Sequence, residues 1–334
     1  MNQLIDAVLP AFARGEGRAH SSPPEKGGIL LGFGPVPELP DIAAYLEALR
    51  PRVVGERLEA VRLGSPFLLR STVPPLAEAA GKTVLGVERV GKRIVFVLEG
   101  DLFLVLHLMI AGRLHWKKKS SKVGGRGAVA SLDFDSGCLV LSEASTKKRA
   151  SLHLVRGREG LRAFDRGGLD VLEAAFPAFR EALVRESHTL KRALTDPRLF
   201  SGIGNAYSDE ILHRAKLSPA KLTRRLSEDE AGRLYDAART ILREWTDRLS
   251  REASRKFPEK VTAFREGMAV HGRYGEPCPV CGTPVQRIVY AENESNYCPT
   301  CQTEGRLLAD RALSQLLRGD WPKTLEELEE KKRG

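Results

Sequence analysis

Apolar and polar positions fall into two regimes along this chain, one with a strand-like alternation and one with a helical period. Between about Val53 and Val155 the apolar residues come in short runs: Leu58–Leu63, Thr83–Val90, Ile94–Leu98, Leu102–His107, Arg113–Trp116, Leu132–Phe134, Leu139–Leu141 and Leu152–Val155. Turn signals such as Glu99-Gly100-Asp101 and Asp135-Ser136-Gly137 separate them at hairpin spacing. Short strands in such number predict a sandwich or barrel. A helix precedes them, with Ile42, Ala43, Tyr45, Leu46 and Leu49 as its apolar positions and Pro51 as its stop. From about residue 169 the period lengthens. Val171–Leu183 is predicted as a helix, and a longer one follows the Ser227/Glu230 capping box, with Leu234, Ala238, Ile241, Trp245 and Leu249 on one stripe. Arg14–Gly28 has neither period and reads as a disordered leader.

Composition narrows the partner. At 334 residues the chain has room for about two domains, and 53 Lys+Arg against 43 Asp+Glu leave a formal charge of +10. That excess favours a polyanion. Lys117–Gly127, rich in lysine and glycine, is either a solvated loop or a phosphate-contacting one. No apolar run approaches the roughly 18 residues of a membrane span, and the N-terminus lacks a secretory pattern. The expectation is a cytoplasmic chain with no membrane partner. Of five cysteines, Cys138 stands alone on a strand, as a small buried apolar residue would. The others form two C-x-x-C pairs, Cys278/Cys281 and Cys298/Cys301, the spacing of one closed structural Zn²⁺ site.

Two stretches carry candidate chemistry. Gly202-Ile203-Gly204-Asn205 follows a short helix around Leu190–Leu194 and opens another. Close glycines and a fresh helix N-terminus make a place for an anion, phosphate above all, or a plain turn and cap with no ligand. Val36-Pro37-Glu38-Leu39-Pro40-Asp41 is a helix start by its prolines and acids.

These stretches, with Gly91-Lys92, His107-Leu108 before Ala111-Gly112-Arg113, and the cysteine pairs, occur in one order that resembles the formamidopyrimidine-DNA glycosylase / endonuclease VIII family. The resemblance spans Pro37 to Gln302. It implies an α+β protein: a β-sandwich catalytic domain over 37–160, a helix–two-turn–helix domain over 169–265, a zinc ribbon over 266–303 and a helical tail over 304–334, after a leader or mis-assigned start over 1–36. It implies a monomeric glycosylase and abasic-site lyase acting on damaged double-stranded DNA. Pro37 would be the amine nucleophile, Glu38 the proton shuttle and Lys92 a lysine beside a lesion phosphate. Lys191 and Asn205 match phosphate-holding positions and His107 a phosphate-contacting histidine. His271 falls where the family usually has a backbone-contacting tyrosine; for both histidines a satisfied buried imidazole is the rival. Ile110 takes the place of an intercalating methionine, or is core.

Three departures stand out. Pro37 is internal, and an amide nitrogen cannot form an iminium; Val36 as a decoded GUG start would leave Pro37 first. The ribbon has Asn293, between Glu292 and Glu294, where an arginine is usual, with Arg287 as the substitute. Glu143–Ala150 replaces an arginine–aromatic loop that fills the opposite strand. Two other functions fit the same features: a non-catalytic lesion- or junction-binding protein, and a zinc-ribbon RNA-binding protein.

Overall fold

A computed structural model describes residues 36–119, 127–145, 148–259, 261, 265–290, 293–308 and 322–333. The leader, most of the lysine- and glycine-rich loop, and Thr146 and Lys147 of the 143–150 segment lie outside the described residues.

Helix α1 (Leu39–Val53) begins where Pro40 pre-sets its first turn and the Asp41 carboxylate accepts the Glu38 N–H at 2.9 Å. It runs through Pro51, against expectation. Proline there forfeits one bond to the Glu47 carbonyl, a small loss in an exposed last turn.

All eight strands occur where the apolar runs predict them: β1 (Arg57–Leu63), β2 (Lys82–Val90), β3 (Arg93–Leu98), β4 (Leu102–His107), β5 (Gly112–Lys117), β6 (Ala128–Phe134), β7 (Gly137–Glu143) and β8 (Ser151–Arg156). They form one antiparallel order, β5-β7-β6-β1-β2-β3-β4-β8. The β1–β2 seam is short, pairing only Arg57 with Thr83 and Leu58 with Lys82. Either side of it lie two four-stranded layers. Their inward residues, Leu58, Phe134, Leu139 and Leu141 on one and Val84, Phe96, Leu104 and Leu152 on the other, join a single core: a sandwich.

Short helix α2 (Gly157–Arg162) leads into the helical half: α3 (Phe176–Val184), α4 (Leu190–Thr195), α5 (Asn205–Arg214) and α6 (Glu228–Arg255). Residues 171–175 are turns, not the helix their spacing predicts. The Asp170 side chain accepts the Leu172 N–H at 3.1 Å, and Pro177, which has no N–H to give, fits only the first turn of a helix, so α3 starts at Phe176. Helix α6 has its capping box as predicted, Ser227 and Glu230 exchanging bonds of 2.9 and 3.2 Å, and its predicted stripe is buried. Helix α1 packs along α6 and also against β2 and β3, so the first helix belongs to both halves of the molecule. The ribbon follows, with hairpin β9 (Gln286–Tyr290) and β10 (Asn293–Tyr297) and helix α7 (Pro299–Thr303); α8 (Leu325–Arg333) lies in the tail.

Candidate active site and zinc centre

The anion at the N-terminus of α5 is one of the chain's own. Glu38, 1% exposed, accepts the N–H of Gly204 at 2.5 Å, of Ala206 at 2.8 Å and of Tyr207 at 3.3 Å. This corrects the reading of the Gly-x-Gly-Asn turn as a phosphate cradle: its first donors hold a carboxylate. Gly204 is required by proximity. A Cβ there would lie 2.5 Å from Glu38 Cδ, 2.6 Å from Glu38 Oε1 and 2.6 Å from Lys92 Nζ. Carboxylate and ammonium therefore crowd the same point and lie within about 5 Å of each other. Gly202, at φ +84°, passes its carbonyl to the Leu39 N–H at 2.9 Å and ties the turn to α1.

Burial raises the Glu38 carboxyl above its ordinary value, while Lys92 and the Ala206 N–H pull it down. Burial also lowers Lys92, with Glu38 opposing. The pair therefore holds a proton less firmly on nitrogen and more firmly on oxygen than it would in water. Pro37 is buried beside Glu38 and remains bonded to Val36. Asp41, 2% exposed, pairs with Arg265 at 2.6 Å, which fastens α1 to the approach to the ribbon.

Lys191 Nζ donates to the Asn205 carbonyl at 2.6 Å and to Asp209 Oδ1 at 2.5 Å. Asp209 is fully buried and also accepts from Ser295 Oγ at 3.0 Å and pairs with His271 Nδ1 at 2.8 Å. Burial alone would raise the Asp209 carboxyl, but Lys191 and His271 hold it below the ordinary carboxylate value. Its neighbour Glu210 accepts the N–H groups of Ala269, Val270 and His271 at 2.7–2.9 Å. Residues Asp209, Glu210, Ser295 and Arg265 escaped the sequence reading. The available signal was an adjacent acidic pair flanked by Ala206-Tyr207 and Ile211-Leu212, where burial of a carboxylate is costly unless it is partnered.

The other expected contacts are spread over three places. His107, half-buried at the end of β4, pairs in register with Arg93. Burial, then Arg93, Lys92 and His153, lower it to about 4, so its imidazole is neutral at pH 7. Ile110 lies in the β4–β5 turn and not on a strand, half-buried beside Met109 at φ +53°. His271 is 4% exposed, within the Asp209 network. Asn205 Nδ2 donates to the Glu294 carbonyl at 2.8 Å, bringing the turn against the ribbon hairpin. Arg287 lies over the Tyr274 ring at 4.5 Å and faces Glu294 at 3.6 Å.

The sulfurs of Cys278, Cys281, Cys298 and Cys301 all lie within 4.8 Å of one another. A tetrahedral zinc with bonds near 2.3 Å needs sulfurs about 3.8 Å apart. The Cys278–Cys301 distance of 4.0 Å and the Cys281–Cys298 distance of 3.4 Å bracket that value. Gly282, at φ +76°, makes the knuckle turn expected of it. The four thiolates fit one structural Zn²⁺ and complete its coordination, leaving no position for substrate.

A sandwich, a helix–turn–helix body and a four-cysteine ribbon, meeting around a carboxylate clamped between domains, define a helix–two-turn–helix DNA glycosylase. Comparisons with known proteins agree. Family models match as the formamidopyrimidine-DNA glycosylase N-terminal domain over residues 36–150, its H2TH domain over 168–252, and a zinc finger found in FPG and IleRS over 275–303. A formamidopyrimidine-DNA glycosylase of Thermus thermophilus is 37% identical over 280 residues, 81% of this chain and 100% of the relative. The crystal structure of a Thermus thermophilus Fpg protein superposes with a TM-score of 0.68 at 36% identity, covering 80% of this chain and 98% of that one. Lactococcus lactis Fpg, in complex with DNA containing an abasic site, gives a TM-score of 0.70 at 26% identity over 80% and 99% of the two chains. The chain belongs to the formamidopyrimidine-DNA glycosylase family of base-excision repair enzymes.

Proposed function

We propose that this protein, as a monomer, excises a damaged base from double-stranded DNA and nicks the strand at the resulting abasic site, with Pro37, Glu38 and Lys92 as its chemical groups. The observation that carries the reading is the clamp on Glu38, a buried carboxylate fixed by three backbone donors beside Lys92 and next to Pro37. A base inside a duplex shields its own sugar, so the nucleotide must first leave the stack. A free proline amine, with a pKa near 7.7–8.0 for an α-amino group, is partly unprotonated at neutral pH. It attacks C1′, and loss of the base leaves an iminium; on an abasic aldehyde the same attack expels water. Glu38, its carboxyl raised by burial, protonates the sugar oxygen and takes protons during elimination.

His107, Lys191 and Asn205 would hold phosphates around the lesion. Ile110 would fill the vacated stack, and His271 and Arg287 would support the ribbon's grip. Lys191 spends two N–H groups internally and keeps one for a phosphate oxygen.

The iminium demands that Pro37 be the first residue. Translation from Val36 followed by removal of the initiator achieves that, and the family match begins at residue 36. While Val36 stays attached, the second reading applies: binding of damaged DNA without cutting.

Borohydride trapping on an abasic duplex separates the two. A chain begun at Pro37 is expected to give a covalent adduct mapped to Pro37 and abolished in Pro37→Gly. An adduct mapped elsewhere, or none from the Pro37-first chain, overturns the assignment.

A further inference from the structure

The last turn of α5 carries a histidine that the glycosylase chemistry does not use. His213 is 6% exposed, and its Nε2 lies 3.3 Å from Cys278 Sγ. A thiolate that ligates zinc has no proton to give, so the ring nitrogen is the donor. Cys278 also receives the Val280 N–H at 3.5 Å, a bond made within its own knuckle. The His213 bond is different in kind, because it comes from the helical body.

We propose that His213 is a positioning residue of the zinc centre, donating an Nε2–H···S bond to Cys278 that makes metal retention and the seating of the ribbon on α5 one event. Four thiolates around one dication leave a formal double negative charge. A buried N–H aimed at one sulfur draws off part of it, making that thiolate a poorer target for protons and harder to displace. A second tie supports the same seat. Gln302 accepts the Cys298 N–H at 2.9 Å and donates to the Leu217 carbonyl, just past α5, also at 2.9 Å. Two of the four ligating residues are thus tied to one segment, Cys278 directly to the helix whose other end clamps Glu38 and Cys298, through Gln302, to Leu217 just beyond that helix.

The test uses the zinc-loaded full chain and the chromogenic chelator pyridylazoresorcinol. His213→Phe keeps the ring volume and loses the donor; zinc release is expected to accelerate about tenfold to a hundredfold. His213→Gln restores an N–H donor and is expected to release zinc at close to the wild-type rate. In the cobalt-substituted protein, His213→Phe should move the thiolate-to-metal charge-transfer band to lower energy. Unchanged release and spectrum in His213→Phe overturn the proposal. So does equal acceleration in both variants, which assigns the effect to shape. If His213→Phe does not fold, His213→Gln decides: wild-type retention and spectrum support the bond, and rapid loss refutes it.

Discussion

Glu38 does two jobs that pull against each other. Its carboxylate accepts three backbone bonds, which favour the ionised form, while burial favours the neutral one and leaves its carboxyl raised. Glu38→Gln keeps the volume and removes the titration. Base removal is expected to fall by about 10²–10⁴-fold in single-turnover kinetics while duplex affinity stays near wild type. Equal losses in both would make Glu38 a structural anchor. His107 offers a pH signature. Without DNA, burial holds its imidazole down to about 4, so the ring is neutral near pH 7. A phosphate beside it stabilises the imidazolium, so the complex takes up a proton and affinity rises as pH falls toward 5. His107→Gln should flatten that profile in fluorescence anisotropy. Identical profiles would detach His107 from phosphate.

At the scale of elements, α5 links more of the molecule than a helix of its length usually does. Its N-terminus holds Glu38, its middle holds Lys191, His271 and Ser295 through Asp209, and Glu210 caps the strap at 269–271. Asp209→Asn leaves the Lys191 ammonium, 14% exposed, without its anion. A loss of about 3–5 kcal/mol is expected, visible as a lower Tm at pH 7. Because the Asp209 carboxyl is held below its ordinary value, its contribution is in place above about pH 4 and disappears as pH falls through the folded-state pKa. The Tm gap between wild type and variant should therefore close in acid; a constant gap would count against the network. The sheet and α6 were legible in sequence because alternation and a capping box are local signals. The turn at 171–175 was not, because one aspartate side chain outcompetes a helical period. The start of α5 at Asn205 was legible too, but the work of Asp209 and Glu210 was not, because apart from Lys191 the partners of that buried acidic pair lie some sixty or more residues away. The Gly-x-Gly-Asn turn was legible as an anion site, but nothing in the local residues said that the anion is Glu38.

For the whole molecule, the +10 charge predicts duplex affinity that falls steeply with salt, by about one unit of log–log slope for each phosphate neutralised. Arg287→Gln tests the ribbon's share. If Arg287 leaves Glu294 to meet a phosphate, the slope should drop by about 1. An unchanged slope would keep Arg287 as the partner of Tyr274 and Glu294.

The first helix has a mechanical consequence. It is fastened to the helical body by Gly202, by Gly204 and by Arg265, whereas Lys92 rides on the sheet. A hinge opening between the two bodies would carry Glu38 away with the helices and leave Lys92 behind. Its carboxyl would lose its burial and its nearest positive charge together; burial is the stronger of the two, so the raised value belongs to the shut molecule and opening would relax it toward that of an ordinary carboxylate.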